Sequence, residues 1–261
     1  MYGITRQTLV AFSVHLFTAS GAFWAFLALA AAAEYRFNIM WFWLGVALLV
    51  DGVDGPMARY FKVKEVLPNW SGELLDSIID YVTFVLIPAF ALYQSGFLQE
   101  RISFFAAALI VCTSAIYYAD TRMKTVNNSF RGFPVCWNMV VFTLFVLQPG
   151  WSIALGVVVL SAFLTFMPIH FVHPVRVKTL RTLTLSIFAV WSVCGLAAIY
   201  ENMDAGMWAL LGLDITPRSL QEMMAFKNMD VSYIVKTGIA ISGLYLYVIG
   251  FVIQIFNLGD D

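Results

Sequence analysis

Charged side chains are scarce in this sequence. Only 12% of its 261 residues are Asp, Glu, Lys or Arg, whereas 61% are hydrophobic. The mean hydropathy of +0.82 is too high for an ordinary soluble domain. The formal net charge is −1 and there is no block of basic residues. Nothing in the composition therefore indicates a nucleic-acid partner.

Cysteine is rare as well. Cys112, Cys136 and Cys194 are an odd number and do not have the spacing of metal ligands. We interpret all three as buried free thiols. The first apolar run also has no convincing cleavage site before Glu34, so we predict a retained membrane helix there and not a signal peptide.

Long apolar runs make up most of the chain. About 20 apolar residues cross roughly 30 Å of hydrocarbon, and runs of about that length recur along the whole sequence. We predict an all-α, polytopic membrane helical bundle, a single domain over residues 1–261 with about eight transmembrane helices. The predicted spans are 9–33, 37–59, 74–93, 102–118, 133–148, 151–172, 179–200 and 233–256. Residues 201–230, which contain Pro217, are predicted to form a loop, an interfacial helix or a re-entrant segment.

Lysine and arginine are distributed unequally between the predicted loops. On the side of the N-terminus lie ten of them: Arg6, Arg59, Lys62, Lys64, Arg122, Lys124, Arg131, Arg176, Lys178 and Arg181. The short loops on the other side carry only Arg36 and Arg101. Because cytoplasmic loops are enriched in Lys and Arg, we predict that both termini are cytoplasmic.

Acidic residues at the ends of two apolar segments are concentrated between positions 51 and 80. The sequence D-G-V-D-G-P-M-A-R begins at Asp51, and G-E-L-L-D-S-I-I-D ends at Asp80. Charge in apolar segments is costly and normally faces a bundle interior or a water-filled cavity. If both segments are helical, Asp51 and Asp54 share one face, and Asp76 lies one turn before Asp80. The short loop makes these helices adjacent and antiparallel, so their acidic faces can converge.

Four converging carboxylates would repel one another unless cations lay between them. Mg²⁺ and Mn²⁺ prefer oxygen ligands and bridge substrate phosphates, and two such ions can stabilise the attacking and leaving oxygens of phosphoryl transfer. We predict a site for Mn²⁺ or Mg²⁺, with two ions, on Asp51, Asp54, Asp76 and Asp80. Gly55, Ala58 and Gly72 leave space for a nucleotide, and Arg59 can bind a diphosphate or a carboxylate.

The same residues resemble the motif of the CDP-alcohol phosphotransferase family, D-x2-D-G-x2-A-R-x8-G-x3-D-x3-D. Every fixed position is matched, by Asp51, Asp54, Gly55, Ala58, Arg59, Gly72, Asp76 and Asp80. The chain departs from the motif in having twelve residues, not about eight, between Arg59 and Gly72. That longer spacer and the additional Gly52 resemble the bacterial phosphatidylcholine synthase branch of the family.

The resemblance implies a reaction in which an alcohol attacks the lipid-side phosphorus of CDP-diacylglycerol and CMP leaves. In the branch named above the alcohol is choline. Carried onto this chain, Asp51, Asp54 and Asp76 bind metal, while Asp80 lies near the second metal and is the general base. The nucleotide and its diphosphate are then expected to contact Asp51, Gly55, Ala58, Arg59 and Gly72. The resemblance also implies a homodimer in the bacterial inner membrane, surrounded by membrane lipids. The distribution of Lys and Arg places its active site at the cytoplasmic face.

A choline pocket should offer aromatic faces and a carboxylate to the quaternary ammonium. Five residues near predicted cytoplasmic span ends fit this description: Tyr81, Tyr117, Tyr118, Asp120 and Trp137. Aromatic residues are common at membrane interfaces. The alternative for each aromatic residue is therefore a place in the interfacial belt or in the packing of the bundle.

Other interpretations remain open at this stage. The sequence F-R-G-F-P resembles the F-x-G-L-P element of phosphatidylserine synthases, with Phe133 in place of Leu, so serine is an alternative alcohol. It can also be a simple Gly-Pro turn. His170 and His173 are interpreted as an interfacial pair, and His15 could either hydrogen-bond inside the bundle or line the site. A cation transporter is the alternative from another functional class, although its charges would be expected nearer the bilayer midplane.

Overall fold

The computed structural model describes residues 5–122, 130–171, 180–202, 229 and 231–255. Most of the segment predicted as a loop or re-entrant piece (203–228 and 230) lies outside them, as do Lys124, His173, Arg176 and Lys178. The helices are α1 (Arg6–Ala33), α2 (Phe37–Tyr60), α3 (Val63–Val66), α4 (Gly72–Asp80), α5 (Ile87–Gln94), α6 (Glu100–Ala119), α7 (Trp137–Leu147), α8 (Trp151–Leu164), α9 (Arg181–Glu201) and α10 (Tyr233–Ile255). A π-helical segment (Tyr81–Leu86) joins α4 to α5, and two strands are present, β1 (Phe130–Arg131) and β2 (His170–Phe171).

Six helical stretches in the described residues are long and apolar enough to cross a membrane. They are α1, α2, the continuous stretch Gly72–Gln94, α6, α9 and α10. The predicted all-α polytopic bundle is therefore confirmed. The two remaining apolar helices are shorter: α7 has 11 residues and α8 has 14, or about 16 and 21 Å at 1.5 Å per residue. The predicted set of about eight spans thus consists of six long helices and two short ones.

The predicted sixth span, 151–172, is wrong at its C-terminal end. Helix α8 ends at Leu164, and β2 pairs antiparallel with β1 so that Phe171 lies opposite Phe130. The Gly132 N–H donates to the Ile169 carbonyl at 2.7 Å. Gly132 has a φ of 75°, and a Cβ there would collide with the Thr165 carbonyl, so the close approach requires glycine. The fifth span was predicted from residue 133, but because of the same pairing its helix begins only at Trp137.

One hydrophobic core includes residues from every long helix of the described chain. Small side chains such as Ala25 and Ala28 are fully buried where α1 packs along α2, as expected for membrane helices in close contact. The outer surface is apolar, with Leu49 and Phe105 more than 70% exposed, which suits contact with lipid. All three cysteines are free, but Cys112 is exposed on this surface, so the expectation that it is buried is wrong.

The π-helical segment begins directly after Asp80. The Ile87 N–H bonds to the Val82 carbonyl, five residues earlier, and Pro88 follows without an N–H of its own. A wide turn of this kind changes the face on which the following side chains lie and is frequent at functional sites. The first residue of this segment, Tyr81, contacts α6, where its hydroxyl donates to the Val111 carbonyl at 2.9 Å.

Candidate active site

Three of the four motif aspartates converge. Asp51 of α2 and Asp76 and Asp80 of α4 each have a carboxylate oxygen within 4.8 Å of the other two, and all three residues are half-buried. The i, i+4 spacing of Asp76 and Asp80 places both on one face of α4, opposite Asp51. We refer to Asp51, Asp76 and Asp80 as the three-carboxylate group.

The three-carboxylate group fits a hard divalent cation. It contributes only oxygen atoms, and oxygens on opposite sides of one Mg²⁺ lie about 4.2 Å apart. Like charges this close raise the energy of the folded state unless a cation or a proton neutralises them. The group can therefore hold a metal ion.

Asp54 has a different environment. It is buried, and it accepts hydrogen bonds from the Thr18 side chain of α1 and from the Gly55 backbone N–H. It is outside the group of mutually close carboxylates. The structure therefore brings three of the four predicted ligands together, and metal binding by Asp54 stays a prediction.

Helix α1 forms a third wall of the site. A Cβ on Gly21 would lie 3.0 Å from the Ile79 side chain of α4 and 4.0 Å from Val50 of α2, so the absence of a side chain lets three helices meet. The motif does not include α1, and the sequence analysis did not identify Thr18 as a neighbour of Asp54. The available signal was the polar i, i+3 pair His15 and Thr18 followed by Gly21 on an otherwise apolar helix.

The predicted nucleotide-binding residues lie at the same end of α2 and α4. The exposed Arg59 reaches back along α2, so that a Cβ on Gly55 would be 3.4 Å from its guanidinium. Ala58 is half-buried against a small apolar cluster formed by α1 and α3. Gly72 begins α4, and a Cβ there would be 3.3 Å from the His15 ring. Nucleotide binding by these residues stays a prediction.

The basic side chains near the motif do not explain its acids. Lys62 pairs with Glu65 at 3.9 Å, and Lys64 pairs with Glu73 at 3.5 Å. Both pairs are exposed, where ion pairs contribute little to stability. Lys62 and Lys64 are therefore engaged by glutamates outside the motif.

Three predicted choline-binding tyrosines lie together, and one of them is close to the carboxylates. Tyr118 interacts electrostatically with Asp80, Asp76 and Asp51. Its ring centroid is 5.7 Å from that of Tyr81 and 6.5 Å from that of Tyr117, with both pairs nearly perpendicular. The Tyr117 hydroxyl is buried and has no hydrogen-bond partner among the residues that the structure describes. We call Tyr81, Tyr117 and Tyr118 the tyrosine cluster.

The other two predicted choline-binding residues are already engaged. Trp137 is fully buried, and its indole N–H donates to the Ser114 hydroxyl at 2.9 Å. Asp120 accepts two hydrogen bonds from the Arg122 guanidinium, at 2.9 and 3.0 Å, and this pairing lowers the pKa of Asp120 to about 2. Core packing accounts for the contacts of Trp137, and a local ion pair for those of Asp120. Choline binding by either residue stays a prediction.

Comparison with known proteins agrees with this geometry. The sequence profile of the CDP-alcohol phosphatidyltransferase family matches residues 9–169, which include every residue of the site described above. A phosphatidylcholine synthase of Brucella melitensis is 55% identical over 259 residues, covering 99% of this chain and 84% of that protein. One of Rhizobium meliloti is 56% identical over 246 residues, covering 94% and 91%. One of Pseudomonas aeruginosa is 39% identical over 204 residues, covering 78% and 85%.

The family match and the three-carboxylate group lead to the same conclusion by independent routes. One depends on the order of residues along the chain, and the other on where the fold brings their side chains. The chain belongs to the CDP-alcohol phosphatidyltransferase family.

Proposed function

We propose that this protein is a phosphatidylcholine synthase, a CDP-diacylglycerol–choline O-phosphatidyltransferase. It transfers the phosphatidyl group of CDP-diacylglycerol to choline and releases CMP. The observation that carries the proposal is the convergence of the three-carboxylate group from two adjacent helices. Identity of 55% over nearly the whole chain to a phosphatidylcholine synthase supports choline as the alcohol.

Asp51, Asp76 and Asp80 would hold Mn²⁺ or Mg²⁺, with two ions per site and Asp54 as the additional ligand. The oxygen-only donor set supports a hard divalent ion. Such ions, when bound, would neutralise the diphosphate and stabilise the oxygen that leaves with CMP. Asp54 would have to exchange its contact with Thr18 for the second ion.

Asp80 is the general base. It lies at the end of α4 nearest the tyrosine cluster, since Tyr81 follows it directly, whereas Gly72 and the nucleotide side are two turns away. Asp80 takes the proton of the choline hydroxyl, the oxygen bonds to the lipid-side phosphorus, and the bond between that phosphorus and the bridging oxygen breaks. A hydroxyl is a poor nucleophile until a positioned base accepts its proton. Arg59 binds the diphosphate and orients it.

The tyrosine cluster binds the choline ammonium. Quaternary ammonium groups are attracted to the faces of aromatic rings. The rings of Tyr81 and Tyr118 are nearly perpendicular, with centroids 5.7 Å apart, so one presents its face and the other its edge. The nearby carboxylates add a negative field. Trp137 contributes from the core, and Asp120 would line the outer rim of the same pocket.

The active site and both termini face the cytoplasm of the bacterial inner membrane. Supporting this orientation, Arg6 begins α1, Arg59 ends α2 and Arg181 begins α9, at the bundle end that carries the motif. Fluorescence from a green fluorescent protein fused to the C-terminus would support a cytoplasmic C-terminus, and activity of alkaline phosphatase fused there would contradict it.

The protein is a homodimer of single-domain chains. A measured mass of one chain in detergent would contradict this oligomeric state.

The decisive experiment is incubation of the purified protein with CDP-diacylglycerol, Mn²⁺ and a panel of labelled alcohols. The expected result is phosphatidylcholine and CMP in equal amounts, formed only when choline is present. Product formed from serine but not from choline would move the assignment to phosphatidylserine synthesis. Metal flux into liposomes without dependence on nucleotide, together with no lipid product, would support the transporter alternative.

A further inference from the structure

A buried histidine on α1 faces the motif. His15 is 7% exposed, and its ring lies against Gly72, the residue that begins α4. The exposed Trp70 is its aromatic neighbour, with ring centroids 6.4 Å apart and an interplanar angle of 35°. His15 lies one turn before Thr18, the residue that contacts Asp54, so both are on the face of α1 that lines the site.

The Nε2 atom of His15 is buried and has no hydrogen-bond partner in the described part of the chain. Buried polar atoms nearly always have a partner, and an exception requires an explanation. A histidine used only for packing would be expected to satisfy this atom within the protein. The same ring lies against Gly72, where a Cβ would come within 3.3 Å of Cε1, the carbon bonded to Nε2.

The position of His15 along the bundle indicates which part of the substrate it would meet. The contacts His15–Gly72 and Gly21–Ile79 show that α1 and α4 run in the same direction. Along α4, Asp76 is about 6 Å and Asp80 about 12 Å beyond Gly72. His15 is therefore displaced from the three-carboxylate group toward the aqueous end of the bundle, on the side away from the tyrosine cluster.

This displacement indicates which end of the substrate His15 would contact. With the diphosphate at the three-carboxylate group and the acyl chains in the bilayer, the nucleoside is the part that extends toward Gly72 and His15. A neutral imidazole has one donor and one acceptor nitrogen. It can therefore bond to a ribose hydroxyl or to a carbonyl or amino group of the pyrimidine.

We propose that His15 is a specificity-determining residue that hydrogen-bonds the nucleoside of the CDP-linked lipid through Nε2. The proposal rests on the proposed function and assigns a contact to a residue outside the motif. Gly72 is needed beside it because a side chain there would press on the imidazole at 3.3 Å. Trp70 flanks the same space.

The test compares His15→Phe, which removes both nitrogens, with His15→Gln, whose amide can replace the Nε2 hydrogen bond. In His15→Phe we expect the KM for CDP-diacylglycerol and the dissociation constant of CMP to rise about tenfold, the effect of one hydrogen bond. The KM for choline should stay within about twofold. His15→Gln should recover part of the loss.

Binding of CMP alone to the purified protein with Mn²⁺, measured by calorimetry, gives a readout that does not require turnover. Ser20→Ala is the matched control on α1, because its hydroxyl only bonds to the Phe17 carbonyl of its own helix at 2.6 Å. It should bind CMP as the wild type does.

Unchanged CMP binding in both His15 variants, with a lower melting temperature, would make His15 a packing residue and overturn the proposal. An equal loss of CMP and choline affinity would overturn it too. Failure of the proposed function is recognised separately, because the wild type itself would then form no phosphatidylcholine.

Discussion

The two ends of the bundle differ in the polar groups that they bring together. At the end opposite the motif, polar side chains bond to partners across helices: Asn38 donates to the Asn202 carbonyl at 2.7 Å, and Gln148 to the Met229 carbonyl at 3.0 Å. At the motif end, three like-charged carboxylates from two helices lie together. The first arrangement holds helices together, whereas the second offers oxygen ligands to a cation from outside the chain.

The difference gives a practical criterion. A polar group whose partner is another part of the fold has a structural role, as Gln148 and the Met229 carbonyl illustrate. A group of like-charged carboxylates brought together by two helices is instead a candidate for ligand binding. The predictions below test this distinction in order of decreasing expected effect.

The largest effect is expected for Asp80→Asn. The substitution removes the proposed base and one proposed metal ligand, so CMP release should fall by about 10²–10⁴-fold, while the protein remains folded because a like charge has been removed. Glu73→Gln is the matched control, since Glu73 is an exposed carboxylate on the same helix. CMP release by Asp80→Asn near the wild-type rate would disprove the role assigned to Asp80.

Metal binding should stabilise the motif end even without substrate. Mn²⁺ at about 100 times its dissociation constant should raise the melting temperature by roughly 5–10 °C, because it neutralises the three-carboxylate group. Chelation should reverse the shift and abolish turnover. The shift should disappear in an Asp51→Asn, Asp76→Asn double variant and persist in Glu73→Gln; a shift of the same size in both would place the ion elsewhere.

Choline recognition should depend on the face of Tyr118. Tyr118→Leu should raise the KM for choline by about 3–30-fold, the range expected from loss of a cation–π contact, with the KM for CDP-diacylglycerol unchanged. Tyr118→Phe retains the aromatic face and is the control. If the leucine variant retains the wild-type KM for choline, the tyrosine cluster packs against the site without binding the ammonium.

At the opposite end the expected change is in stability alone. Asn38→Ala removes the side-chain donor to the Asn202 carbonyl and should lower the free energy of unfolding by about 1–3 kcal/mol. The kinetic constants for choline and CDP-diacylglycerol should not change. A selective loss of substrate affinity in this variant would contradict the division between the two ends.

The smallest effect is expected at Asp120. Its pKa is about 2 in the folded protein, below the ordinary value of 3.8, chiefly because Arg122 bonds to the carboxylate. A lowered pKa stabilises the fold above about pH 4, and this contribution disappears as the pH falls toward 2. Because the pair is exposed, Asp120→Asn should leave the melting temperature at pH 7 nearly unchanged. A large loss of stability at pH 7 would contradict this account.

Prediction from the sequence succeeded where a local property decides the structure. Helix α2, predicted over 37–59, is Phe37–Tyr60, because hydrophobicity and helix length follow directly from the order of residues. It was wrong where distant segments compete for hydrogen bonds: α8 stops at Leu164 because the following residues bond to the segment around Gly132. Span prediction from hydropathy contains no information about that partner.

The order of residues determined the membrane bundle and the four acidic positions, since apolar length and i, i+4 spacing are properties of the chain itself. The tertiary structure decided which acids meet. Asp51 joins Asp76 and Asp80, whereas Asp54 turns to Thr18. It also placed His15 beside Gly72 and the Trp137 indole N–H against the Ser114 hydroxyl. The physical reason is that a buried polar group depends on the neighbours that other helices bring to it, and these come from distant parts of the chain.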